Sequence, residues 1–465
     1  MTALLTDRPL ATLVHSGRRA PLVTGGDAED INLDHAASAA PLRAVVDAVS
    51  EYLTSGQYSA IHRGPRWASV WSTNLYEVAR DVARWFFHAP TDSAVIWTEN
   101  TTGAINIVAQ AFESSTRVLV CAFEHHANLL PWGLCDYTLL PVPPDHGALL
   151  EAMETELAAR QFDLVTVTGA SNVTGEIPPI AQITSLAHRH GARVLLDAAQ
   201  LAPHHLINMQ ALGVDWVACS GHKLGAPFRV GCLIGPALPT DRPPLIRGGG
   251  IVDFVLPDMT TMWVQDPEQR HEPGSQNVVG VLATAVAMAT LRPELDRVAV
   301  SERVLMDVAV PALASVPGLR TYRMWPGSPR IGVLTFNIVG DRRAKVEPIP
   351  YALLAATLAA EHAVGTRGGC HCAHPLWAHL MGLDLPAARR MGEARRSGGT
   401  VLGGVRISMG LDTTVDSILA LVDALLRIVK HGPQWDYQLS ADTSTCVPVN
   451  DPRREYVMPY IPPWG

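Results

Sequence analysis

Asp197, in the run Asp197-Ala198-Ala199-Gln200, and Lys223, in Ser220-Gly221-His222-Lys223, are residue types that suit one kind of chemistry. A lysine that binds pyridoxal phosphate as a Schiff base must be able to lose its proton. An acid must keep the pyridine nitrogen protonated, so that the ring draws electrons from the substrate. Taken alone, each run reads as well as a surface lysine or a helix cap. The elements around them decide between these readings.

Arg193-Val194-Leu195-Leu196 reads as a short buried strand that delivers Asp197 at its carboxyl end. Trp216-Val217-Ala218-Cys219 delivers Ser220, His222 and Lys223 to the same rim, where open α/β sheets bind ligands. Strands and helices alternate from about residue 90 to 240, the pattern of a mostly parallel sheet with helices on both faces. Val95-Ile96-Trp97 leads to Thr101 and Thr102, which are expected to cap a helix over Ala104 to Phe112 and to form a site for phosphate. Val118-Leu119-Val120 leads to Glu124-His125-His126-Ala127-Asn128, and Leu164-Val165-Thr166-Val167 to Ser171-Asn172-Val173-Thr174-Gly175. Ala181 to His190 reads as a crossover helix.

Beyond about residue 290 longer amphipathic helices take over. The clearest carries Val415, Ile418, Leu419, Val422, Leu425, Leu426 and Val429 on one face, expected to be core. The expected organisation is an N-terminal segment at 1–30, a large cofactor-binding domain at 31–290, a smaller α+β domain at 291–435 that carries a cysteine loop and takes in part of the N-terminal segment, and a tail at 436–465 rich in proline and aromatics. The tail is expected to pack along the surface or against a partner subunit.

A chain that is 48% apolar and 17% charged, with a net charge of −8, is a well-buried globular protein with no basic surface for nucleic acid or anionic membrane. Its most apolar run, Val278 to Leu291, falls short of the roughly 20 residues that span a bilayer. The first residues lack a basic region followed by an apolar core, so the expected setting is cytoplasmic. Seven scattered cysteines are no disulfide framework. Cys121, Cys219 and Cys232 fall in strand-like runs and read as core thiols, whereas Cys370 and Cys372 fall in the glycine-rich segment 365–375.

In order along the chain stand Asn32-Leu33-Asp34-His35-Ala36-Ala37-Ser38, His62-Arg63-Gly64, Thr101-Thr102, the runs beginning at Glu124, Ser171, Asp197 and Ser220, Gly248-Gly249-Gly250, Glu272-Pro273-Gly274-Ser275, the cysteine loop and Val405-Arg406-Ile407-Ser408. With these motifs the chain resembles, over roughly residues 30 to 430, the class V aminotransferase superfamily of fold-type I pyridoxal-phosphate enzymes. Within it, the chain is most similar to the cysteine desulfurases.

The resemblance implies a role for each position. His125 stacks on the pyridine ring, Asp197 pairs with its nitrogen, Gln200 and Asn172 reach the phenolic oxygen, and Lys223 forms the Schiff base. Thr102, Ser220 and His222 hold the phosphate, with Thr101 a helper. Ser275 reaches it from the other subunit of a homodimer, where the family more often has threonine. Arg406 clamps the substrate carboxylate with Arg367 assisting, Asn172 and His62 are expected on the substrate side, and Cys372 takes the sulfur of L-cysteine as a persulfide for a sulfur-acceptor protein. The implied products are L-alanine and that persulfide.

The loop reads Arg-Gly-Gly-Cys-His-Cys over 367–372, where these enzymes usually have Arg-Thr-Gly-His-His-Cys. Cys370 is therefore a second thiol: another sulfur acceptor, a partner in oxidation, or a tolerated change. Two cysteines one residue apart, without a second pair elsewhere, make a poor zinc site, so no metal is expected. Glu99-Asn100, Gly103 and Gly410-Leu411-Asp412 also depart from the desulfurase pattern. The rival reading is an aminotransferase, epimerase or carbon–sulfur lyase of the same superfamily, acting on a specialised amino acid. A scaffold without turnover is the rival outside enzymes, opposed by the pairing of Lys223 with Asp197.

Overall fold

The computed structural model describes residues 10–14, 17–62, 64–112, 114–396, 402–440 and 445–453. Its centre is a seven-stranded sheet. The strands are β1 (Ala94–Thr98), β2 (Arg117–Cys121), β3 (Asp136–Leu140), β4 (Leu164–Thr168), β5 (Arg193–Asp197), β6 (Trp216–Ser220) and β7 (Gly231–Gly235). Their order is β1-β7-β6-β5-β4-β2-β3, with every neighbouring pair from β6 to β3 parallel and β7 antiparallel to both β1 and β6. The fold is thus the mostly parallel α/β sheet that the alternation of strands and helices predicts. Because β1, β2, β4, β5 and β6 run the same way, Thr98, Cys121, Thr168, Asp197 and Ser220 all end at one rim.

The central strands are apolar on both faces, as a sheet covered on both sides requires. Successive residues feed different cores. Leu119, Val165, Leu196 and Val217 join one apolar cluster, and Val118, Leu164, Leu195 and Trp216 another. Helices α1 (Arg43–Thr54), α2 (Trp67–Phe86), α4 (His146–Ala159), α5 (Ile180–Arg189) and α6 (Val278–Leu291) bury their apolar residues in the first cluster. Helix α3 (Thr101–Ala111) buries its own in the second.

Through a 3₁₀ turn at Arg292–Glu294, α6 runs into α7 (Leu295–Ala314), so the apolar run expected to be short belongs to a continuous 37-residue helical stretch. That length and composition could cross a membrane, but 61% of its apolar window is buried inside the protein, against neighbours that include α1 and α2. It is a core helix.

The smaller sheet is four-stranded: β8 (Leu319–Tyr322), β9 (Val333–Ile338), β10 (Arg367–Gly369) and β11 (Gly404–Ser408), antiparallel in the order β8-β9-β11-β10. Its core is shared with α7, α8 (Tyr351–His362) and α11 (Val415–His431), while α9 (His374–Leu380) and α10 (Leu385–Arg396) connect β10 to β11. Ile31–Asn32 pairs in parallel with Val364–Gly365, and Leu33 is buried in this second core, so residues 31–33 are built into the core that the small sheet covers.

α11 starts on a capping box of Thr414 and Ser417, but its buried stripe is Ile418, Leu421, Val422, Leu425 and Ile428. Val415, Leu419 and Leu426, expected in the core, are exposed. The helix meets its partners on a face turned from the one the expected pattern marks, a choice that packing and not periodicity makes.

Part of the predicted tail has a clear place. Tyr437–Leu439 and Cys446–Pro448 form a hairpin against α8. The Glu361 carboxylate accepts the backbone N–H of Gln434 at 3.0 Å and of Trp435 at 3.1 Å, and the Tyr437 hydroxyl at 3.0 Å. Residues 441–444 and 454–465 of the tail lie outside the described residues, as does Arg63.

Candidate active site

A cleft of about 440 Å³ opens at the shared rim, walled on the large-sheet side by the turns after β1, β2, β4, β5 and β6 and on the other by the cysteine loop and β11. Asp197 is buried where β5 ends, and its Oδ1 accepts the Ala199 N–H at 2.9 Å. Burial pushes its carboxyl up, while that N–H and the Lys223 charge pull it down. Lys223, three residues past β6, makes no hydrogen bond or ion pair among the described residues. Burial lowers its amine to about 8 against the opposing pull of Asp197; Arg406 lowers it further, and a thiolate on Cys372 raises it.

The start of α3 points at this cleft. Asn100, not Thr101 or Thr102, is the cap: its side chain accepts the Gly103 N–H at 2.9 Å, and the two threonines are the first helical residues. Ser220 Oγ accepts the Thr101 N–H at 2.8 Å and lies 2.7 Å from Thr101 Oγ1, which pins the helix to β6. Thr102 is exposed to the cleft, and the amides of a first helical turn have no intrahelical partner, so an anion can accept from them. Gly231 makes this approach possible, because a Cβ there would lie 2.4 Å from the Cys219 carbonyl oxygen and 2.7 Å from the Asn100 backbone. His222 lines the same corner, and burial, helped by the Lys223 charge, lowers it to about 4.

His125 follows β2 into the cleft. Its Nδ1 accepts the Ala127 N–H at 3.0 Å, which places the ring proton on Nε2. Burial, with Lys223, His126 and Arg406 nearby, lowers it to about 3, so the ring is a neutral flat surface. Beneath it the buried Glu124 accepts from Asn128 Nδ2 at 2.7 Å and from the Thr168 N–H at 2.8 Å, tying the β2 turn to β4.

Gln200 Nε2 donates to the Ala36 carbonyl at 3.0 Å, and its buried Oε1 has no partner. Asn172 is engaged on both sides, donating from Nδ2 to the His371 carbonyl at 2.5 Å and accepting Arg406 Nη1 on its own carbonyl at 3.1 Å. The unpartnered Gln200 Oε1, the unpaired Lys223 amine and the open start of α3 are what a phosphorylated heteroaromatic aldehyde needs. The residues present therefore fit pyridoxal phosphate.

Arg406, on β11, is 3% exposed, and Arg367 stands beside it on β10. The loop that follows carries Cys370, half-buried, and Cys372, exposed. His371 and Cys372 both have left-handed backbone, at φ 55° and 56°, a turn that these residue types adopt only when their surroundings hold it. Two bonds do so: the His126 N–H donates to the Cys372 carbonyl at 2.8 Å, and Asn172 holds that of His371. His126 and His374 stack beside the loop with ring centroids 4.9 Å apart. Burial pushes His371 well below its ordinary value.

Ser275 and His62 do not enter this cleft. Ser275 is exposed and lines a separate hollow with Tyr76 and Glu99, and His62 packs edge-on against the same Tyr76. Two contributors carried no assigned role in the sequence: the cap Asn100, and Asp34, which pairs with Arg406. Asp34 belongs to a quoted motif, so its position was visible although its partner was not.

The family described as aminotransferase class-V matches residues 31–421. A cysteine desulfurase of Escherichia coli O9:H4 (strain HS) is 34% identical over 371 residues, covering 77% of this chain and 87% of that protein. One from Shigella flexneri is 34% identical over 409 residues, covering 85% and 92%. Among solved structures, the apo cysteine desulfurase of Thermococcus onnurineus NA1 superposes with a TM-score of 0.71 at 26% identity, over 86% of this chain and 94% of that one. The cysteine desulfurase CsdA (S-sulfonic acid) of Escherichia coli superposes with a TM-score of 0.69 at 28% identity, over the same shares.

Proposed function

The chain belongs to the class V aminotransferase family, and from that premise we propose that it is a pyridoxal-phosphate-dependent cysteine desulfurase, converting L-cysteine to L-alanine with the sulfur left on Cys372. One arrangement carries the reading: an exposed thiol on a turn of held left-handed backbone, facing a cleft that also contains a free lysine and a buried arginine.

Pyridoxal phosphate, when bound, supplies an electron sink beside the substrate's α-carbon. Lys223 is the residue that would attach it, and its amine, lowered by burial, would accept and return the α-proton. Asp197 would hold a proton at the ring nitrogen, and the neutral His125 ring would stack on the ring. Thr102, His222 and the first amides of α3 hold the phosphate, with Ser220 and Thr101 fixing the helix that presents them. The Arg406 fork orients the substrate carboxylate.

Cys372, as thiolate, forms an S–S bond with the substrate sulfur. The electrons of the broken Cβ–S bond remain with the amino acid, which leaves as L-alanine after protonation. Cys370 is the second thiol: it takes the outer sulfur from Cys372, which returns to thiolate.

The same reading makes the protein a homodimer, in which Ser275 and His62 complete the site of the other subunit. It divides the chain into a large domain at 31–290 and a small one at 291–435. Seven free cysteines suit a reducing cytoplasm, and the exposure of Cys372 suits transfer of its sulfur to an acceptor protein.

Incubation of the wild type and Cys372→Ser with L-cysteine, scoring alanine and protein persulfide, tests the reading. Both products are expected from the wild type and neither from the variant. Alanine that appears undiminished in Cys372→Ser overturns it in favour of another reaction of the family.

A further inference from the structure

One residue of the opposite wall grips the thiol turn on both sides of Cys372. His126 opens the 3₁₀ turn after β2, and its N–H is the donor that holds the Cys372 carbonyl. Its side chain reaches the chain beyond the thiol: Nε2 accepts the His374 N–H at 3.2 Å and lies 3.3 Å from His374 Nδ1. The two rings stack with 26° between their planes. His374 opens α9, and Ala373 before it has no side-chain acceptor for that helix's first amides. His126 thus supplies an acceptor that the loop's own sequence lacks.

Accepting at Nε2 places the proton of the neutral His126 ring on Nδ1. A second proton, at Nε2, removes the acceptor and leaves two donors face to face. Burial, and then the His374 charge, lower His126 below its ordinary 6.5, so the acceptor is present at neutral pH and is lost only below the usual histidine range. The other titratable groups around the pair are Glu124 and His125 on the same turn, Cys370, His371 and Cys372 on the loop, and His379 further along α9. The Lys223 and Arg406 charges reach the neighbouring His125 across the cleft. The elements packed against the turn, α3, β4 and the 3₁₀ helix Leu130–Leu134, carry no titratable side chain.

We propose that His126 is a positioning residue for the sulfur step: its backbone N–H and its Nε2 hold the chain on either side of Cys372, fixing the thiol turn against the cleft while Nε2 is unprotonated and releasing it when Nε2 is protonated. The inference rests on the proposed function, in which Cys372 accepts the sulfur. Amino-acid binding does not depend on it.

The test uses cofactor-loaded enzyme, scoring alanine formation from saturating L-cysteine and, separately, L-alanine binding by the change in cofactor absorbance. His126→Ala lowers alanine formation by about tenfold or more, as misplacing a reacting atom by an ångström does, and leaves L-alanine affinity unchanged. His126→Gln, whose amide oxygen can accept the same N–H but does not titrate, restores most of the rate. Below the histidine range the wild-type rate falls more steeply with acid than the His126→Gln rate, because one more protonation acts on it. His374→Ala, at an exposed position, removes the neighbouring ring and charge, so His126 titrates nearer 6.5 and the steep limb moves to higher pH.

A purely structural His126 predicts something else: His126→Ala weakens alanine formation and L-alanine binding together, and the acid limb is the same in every protein. Coinciding acid limbs in the wild type, His126→Gln and His374→Ala overturn the proposal even where His126→Ala fails to fold. If the wild type forms no alanine from L-cysteine, the proposed function falls and this inference with it. If it forms alanine and the variants match it in rate and pH profile, only this inference falls.

Discussion

Burial beyond the end of β6 strips water from the Lys223 amine, and a value near 8 leaves about a tenth of it unprotonated at neutral pH, far more than an ordinary lysine keeps. Only the unprotonated amine attacks an aldehyde. The rate at which the cofactor-free protein takes up pyridoxal phosphate should therefore rise with pH, level off just above 8, and not climb on toward the 10.5 of an ordinary lysine. Growth of visible absorbance measured across pH checks this, and a rate still climbing at pH 10 refutes it; Lys223→Ala should gain no such absorbance.

At the neighbouring thiols, Cys372→Ser should lower alanine formation by about a hundredfold or more, as loss of a nucleophile does. Mass spectrometry of the loop peptide should find extra sulfur on both cysteines of the wild type, on Cys372 alone in Cys370→Ser, and on neither in Cys372→Ser. Sulfur on Cys370 in the last variant would reverse the two roles.

At the scale of elements, the phosphate corner depends on α3 standing close to β6 and β7. Asn100 caps the helix, Ser220 anchors its first turn, and Gly231 leaves room for both. Gly231→Ala pushes a methyl group into two stretches of backbone that cannot rotate away. It should cost about 3 kcal/mol of stability, in the range of core overpacking, and weaken cofactor affinity as well. Denaturant unfolding and cofactor titration measure the two effects. Full stability in this variant would show that the sheet can open there without penalty.

Across the whole molecule, one loop links the cleft to the small sheet. Asn172 reaches the cysteine loop, and four residues later the buried Glu176 carboxylate accepts the N–H of Met324 at 2.7 Å, that of Trp325 at 3.0 Å, and Arg323 Nε at 3.0 Å. Glu176→Ala leaves those donors unpaired and should cost about 3–5 kcal/mol. It should also weaken amino-acid binding, because Asn172 and Arg406 share a hydrogen bond in this loop. Urea unfolding with a ligand titration checks both; Glu154→Ala, at an exposed ion pair, serves as the comparison and should leave stability nearly unchanged.

Strand type, rim and the polar residues that line it were legible in the sequence because they follow from local patterns: short apolar runs ending in polar residues, each of which a parallel sheet carries to the same edge. The runs before Asp197 and Lys223 needed no partner to be read. What the sequence could not disclose depends on which elements meet. The exposed face of α11, the continuation of α6 into α7, the docking of the tail hairpin on Glu361 and the capping of α3 by Asn100 are all settled by packing. Asp34 shows the difference most sharply: 372 residues separate it from Arg406, and only the bridge that Asp34 makes with Ser408, at the end of β11, brings the carboxylate to that arginine. Composition and spacing determined which chemistry this protein can host, because those signals are local. The tertiary structure decided how the charges around that chemistry are balanced, since charge balance depends on distance through space.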